Sequence, residues 1–71
     1  MIKVQSITLN DAAMEADVFL MSDTKSEVNS ATTADIEGFP ENYAIAPFSK
    51  CMTKKKELAF YGSDGTWDWG D

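Results

Sequence analysis

The chain has 71 residues, six Lys, no Arg, no His and twelve Asp or Glu, for a net charge of −6. That length allows one domain near the lower limit for folding alone, since a chain of about 60 residues buries only ~60% of the surface its unfolded form exposes. Acidity without Arg argues against nucleic-acid binding, which relies on basic patches and bidentate Arg contacts, and a lone Cys51 without His excludes an internal disulfide and a zinc site. Oligomerisation or docking on a larger protein is then the expected supplement to a small core. The longest strongly apolar run, Val18 to Met21, is far short of the ~20 residues of a membrane span. No secretory signal pattern is visible, and one free thiol fits a reducing compartment, so a cytoplasmic origin is expected.

Residues 1–9 have strand character, with Ile2, Val4, Ile7 and Leu9 carrying the apolar weight. Their alternation changes phase between Val4 and Ile7. A β-bulge near Gln5-Ser6 restores a common face; without one, the two pairs lie on opposite faces. Asn10-Asp11 ends the strand and can cap a helical turn through Ala12–Ala16. Met14, Val18 and Met21 also fall at helical spacing. Val18 and Phe19 favour a pleated surface, so a strand from Asp17 to Met21 is expected.

Residues 22–35 contain Val28 as their only large apolar side chain. Ser, Thr, Asn and Asp here compete for backbone hydrogen bonds and favour turns. The segment reads as a surface loop, with a strand around Lys25–Val28 and a helical turn at Thr33–Glu37 stopped by Gly38 and Pro40. Pro47 drives Ala46 towards extended geometry after a short strand-like piece, Asn42–Ala46.

A three-stranded meander follows. Phe48, Lys50 and Met52 share one parity, Lys54–Lys56 form a turn, and Leu58 and Phe60 alternate with Ala59 and Tyr61. Asp64-Gly65 signals a type I′ hairpin, closed by Thr66–Trp69 with both Trp on one face. That face packs on either Leu58 and Phe60 or Ala59 and Tyr61. The fold expected is mainly β: one domain, residues 1–71, a small antiparallel sheet with a C-terminal β-meander and one or two short helical turns. Its expected core is Ile2 or Val4, Ile7, Leu9, Val18, Leu20, Ile36, Ile45, Leu58, Phe60 and Trp67.

Chemistry has few carriers. Without His the commonest base near neutral pH is missing. Cys51 sits mid-strand without an imidazole to activate it. Asp64, Asp68 and Asp71 lack the spacing of a calcium loop, and Lys54–Lys56 read as a solvated turn that discourages edge pairing. No cofactor, metal, membrane or small-molecule substrate is expected. Phe60, Tyr61, Trp67 and Trp69 are either core or a platform for protein or carbohydrate. Trp69, Trp67, Tyr61 and Phe48 are the candidate protein-interface residues.

The stretch IAPFSKCMTKKKELAFYGSDGTWDW, Ile45 to Trp69, is similar to the C-terminal segment of small proteins from tailed phages and prophages of Gram-positive bacteria. The likeness lies in Ala46-Pro47, the strand Ser49–Thr53, and Phe60-Tyr61 followed by Asp64-Gly65-Thr66-Trp67. Phe48 stands where those proteins often carry Gly, and residues 1–35 take no part. The resemblance implies a non-enzymatic structural or head-fibre-like protein of the virion or its assembly, working in the host cytoplasm and in the particle. Its implied partners are copies of itself or a larger phage protein. The carboxylate excess supports another reading, a small acidic intracellular adaptor or inhibitor that binds a basic protein.

Overall fold

The strands are β1 (Ile2–Asn10), β2 (Glu15–Ser22), β3 (Ile36–Glu37), β4 (Ala44–Ile45), β5 (Lys50–Thr53), β6 (Leu58–Tyr61) and β7 (Trp67–Asp68), joined by helix α1 (Lys25–Ser30) and a 3₁₀ turn over Thr33–Asp35. The computed structural model describes residues 1–70. It is mainly β, as the alternation predicts. The strands form one open sheet in the order β3-β1-β2-β5-β6-β7, with β4 also beside β2.

The sheet is mixed rather than antiparallel. β1–β2, β5–β6 and β6–β7 pair antiparallel, but β1–β3, β2–β4 and β2–β5 are parallel. The cause is the crossover: a parallel return needs a dozen or more residues, and residues 23–43, of which the sequence reads those up to 35 as surface loop, supply it. Within that crossover residues 25–28 are helical, not a strand. Thr24 Oγ1 accepts from the Glu27 N–H at 3.3 Å and Glu27 accepts from the Thr24 N–H at 2.9 Å, the reciprocal capping box that starts α1. Val28 is buried and ties the helix to the core.

β1 carries the anticipated bulge. Val4 opposes Leu20 and Ser6 opposes Phe19, which leaves Gln5 unpaired. Ile7 and Leu9 therefore share the face of Val18 and Ala16, yet both remain exposed. The layer covering Ile2, Leu20 and Val18 stops short of them, so they are not core. The expected helix at Ala12–Ala16 is a hairpin turn. Asn10 Oδ1 accepts from the Ala13 N–H at 3.3 Å, but Met14 is left-handed, with φ 53°, and the chain reverses into β2.

The buried core is Ile2, Ala16, Val18, Leu20, Val28, Ile36 and Cys51, flanked by Val4, Phe39, Tyr43, Ile45, Trp67 and Trp69. Leu58 and Phe60 leave the expected core list, because Tyr61 opposes Trp67. That register puts Ala59, Tyr61 and Trp67 on the covered face and Leu58 and Phe60 on the other. The second turn sets this register. Gly62 N–H donates to the Thr66 carbonyl at 2.9 Å and Gly65 N–H to the Gly62 carbonyl at 3.1 Å. Only Gly65, at φ 85°, is left-handed, so the loop is the three-residue kind with a glycine at its end and not type I′.

Candidate interaction surfaces

The four residues singled out from sequence do not form one site. Tyr61, Trp67 and Trp69 line a groove of about 470 Å³ with Val28, Asn29 and Thr32. The Tyr61 and Trp67 rings meet edge to face, centroids 4.9 Å apart. The indole N–H of Trp69 donates to Asn29 Oδ1 at 2.8 Å, and Lys25 Nζ stands 5.6 Å from that ring's centroid. Trp67 and Trp69 are half-buried against the core. These rings form the wall between α1 and the β6–β7 hairpin, and the one polar atom of Trp69 is already used.

Phe48 is different. The residue is 79% exposed, and its backbone is left-handed at φ 70°. Phe48 N–H donates to the Tyr61 carbonyl and Tyr61 N–H to the Ser49 carbonyl, both at 2.8 Å. Phe48 and Ser49 thus oppose the single residue Tyr61, a β-bulge whose left-handed first residue is ordinarily Gly. An L-residue in that conformation costs roughly 1–2 kcal/mol, and a ring this exposed recovers little of it by burial.

Ser49 makes the bulge possible. It sits in the gap between β4 and β5, where the parallel ladder along β2 is interrupted. Its buried hydroxyl accepts from the Val18 N–H at 3.2 Å and donates to the Ala46 carbonyl at 2.7 Å. A side chain thereby replaces the missing strand partner.

The second surface is one that reading the sequence for buried alternation overlooks. On the uncovered face, cross-strand pairing places Met21, Met52 and Leu58 in one row and Phe19, Lys50, Phe60 and Asp68 in the next. Leu58 and Phe60 are 37% and 43% exposed. Lys50 is exposed in their midst, and its ammonium forms no hydrogen bond or ion pair among the described residues. The signal was present in the shared parity of Lys50 with Met52 and of Leu58 with Phe60.

The charges elsewhere serve the fold. The Met1 amine lies 2.7 Å from Asp23 and 2.6 Å from Glu27, and Lys54 Nζ lies 2.9 Å from Asp23. Hydrogen bonds from that amine and then from Lys54 lower the Asp23 carboxyl to about 2. One lysine of the Lys54–Lys56 run is thus paired within its own chain. Burial pushes the Cys51 thiol up, and its contact with Ser22 offsets this only in part. Asp64 accepts from the hydroxyl and N–H of Thr66 at 2.9 and 3.2 Å, which holds its carboxyl low and gives it a turn-closing role. Among the described residues no group of three His, Cys, Asp or Glu could hold a metal; Asp71 lies outside them. No helix among them is long and apolar enough to cross a membrane.

No protein-family model, curated protein or solved structure matches the chain.

Proposed function

We propose that this chain is a non-enzymatic structural or assembly protein of a tailed phage or prophage, acting through protein–protein contacts. Phe48 carries the reading: a phenylalanine in a glycine-type bulge position, 79% exposed. Local strain of this sort persists where the residue does something the isolated fold does not need, and an exposed aromatic is the side chain best suited to anchor a protein interface. The phage assignment rests on the resemblance of residues 45–69, whose Ala-Pro, strand, hairpin and Asp-Gly-Thr-Trp run in the order seen in those small proteins. The working places are the host bacterial cytoplasm during assembly and the particle itself.

Mass spectrometry of particles purified after prophage induction of the source bacterium tests this. The expected result is the chain at fixed stoichiometry in intact particles. Its absence from particles, with the protein abundant in the lysate, overturns the virion reading. It would favour the acidic module, whose supporting observation is twelve carboxylates against six lysines.

A further inference from the structure

We propose that a second copy of this chain packs on the uncovered face of the sheet, about a two-fold axis running along β6. This rests on the reading of the chain as a protein that works through protein–protein contacts, and it names both the surface and its occupant.

The row Phe19, Lys50, Phe60, Asp68 crosses β2, β5, β6 and β7 in order. Turning that row over about β6 sets Phe60 on its own copy and Lys50 opposite Asp68 of the partner subunit. The neighbouring row behaves alike, with Leu58 on its own copy. Isologous contacts require this self-complementarity, in which one patch serves both subunits. Face-to-face sheets pack about 10 Å apart with strands within ~30° of alignment, a spacing filled by interdigitating side chains such as Phe and Leu. A face with a cation and a carboxylate in one row suits itself better than a partner of either single sign, which would meet one of them with like charge. The Lys50 ammonium has no hydrogen bond or ion pair among the described residues, and the second copy supplies one.

Sedimentation equilibrium from about 1 μM to 1 mM on the whole chain tests this, with Lys50→Asp, Asp68→Lys and the double variant, each checked by circular dichroism. Each single reversal turns two symmetry-related attractions into repulsions. It is expected to raise the dimer Kd at least about tenfold, while the double variant returns to within about threefold of the parent. Phe60→Ser, at an exposed position, should also dissolve the dimer and guards against a charge variant that fails to fold. A parent monomeric at ~1 mM, single variants within threefold of the parent, or a double variant without recovery would each overturn the interface. Particle mass spectrometry keeps the two readings apart. A chain found in particles but monomeric in solution sinks only the dimer. A dimer rescued by the charge swap but missing from particles sinks only the virion role.

Discussion

Replacing Ser49 by alanine removes a single oxygen and should destabilise the domain out of proportion to its size. The hydroxyl is the acceptor for the Val18 N–H, 3.2 Å away, in a buried site. Ala46 keeps a donor after the substitution, because the Ser49 N–H also reaches its carbonyl at 3.2 Å. Val18 keeps none in that direction. A buried donor left unpaired costs about 1–3 kcal/mol, against a total near 4–10 kcal/mol for a domain of this length. At ~4–8 °C per kcal/mol, a 2 kcal/mol loss lowers the melting temperature by roughly 8–16 °C. Thermal unfolding by circular dichroism gives the shift. Amide exchange by NMR locates it, since Val18 should lose protection before its neighbours on β2. A fall below about 3 °C with Val18 still protected would refute the claim that the hydroxyl stands in for a strand.

Phe48→Gly should leave the melting temperature unchanged or raise it. Relief of the left-handed backbone, about 1–2 kcal/mol, exceeds the ~0.5–1 kcal/mol that glycine's extra unfolded-state freedom costs. A fall of several degrees would show that the ring is structural after all. Asp23→Asn should destabilise the chain within a defined pH window. The Asp23 pKa is depressed in the folded state to about 2 from 3.8, so its contribution is present above ~4 and lost as pH falls through about 2. The Met1 amine is raised above 8.0, chiefly by its hydrogen bond to Asp23, so its share is lost as pH rises through that higher value. Parent and variant melts should therefore differ most between about pH 5 and 8. All these groups are solvent-exposed, so the difference should also shrink with added salt. A difference as large at pH 2 as at pH 6 would contradict the assignment.

What the sequence disclosed follows the range of the forces involved. Strand β2, the bulge at Gln5 and the β5–β6–β7 meander were legible because alternation and turn residues act over a few positions. The start of α1 has a local signal, since Thr24-Lys-Ser-Glu27 is the capping-box pattern, but the lack of apolar neighbours around Val28 hides the helix that follows. The parallel pairing of β4 and β5 with β2 was not legible. It depends on where residues 23–43 land after crossing the core, and no local signal encodes that. The register of Trp67 against Tyr61 turned on one residue of loop length, and a one-residue slip exchanges the two faces. That alone moved Leu58 and Phe60 from expected core to exposed surface. Of the four candidate interface residues, Phe48 stands out by its exposure and left-handed backbone, properties visible only once the bulge is formed. The three other rings line the groove beside α1.

Salt dependence decides between the two partner classes that the composition allows. An acidic module held to a basic protein draws on long-range attraction between exposed charges. That attraction fades as the screening length shortens from ~8 Å at physiological ionic strength to ~3 Å at 1 M. Contacts made by Phe48 or by the Phe60 and Leu58 face are apolar, and burial of apolar surface does not weaken with added simple salt in this way. For two like copies, each at −6, the net long-range force is repulsive, and screening removes it. The Lys50–Asp68 pairs select orientation more than they supply affinity, because exposed pairs contribute little. Association of the chain with itself or with an isolated particle component should therefore persist, or tighten, between about 0.1 and 0.5 M NaCl. Titration of the complex by sedimentation velocity across that range reads it directly. A tenfold or greater loss of affinity would mean that the carboxylates, not the apolar surfaces, hold the partner.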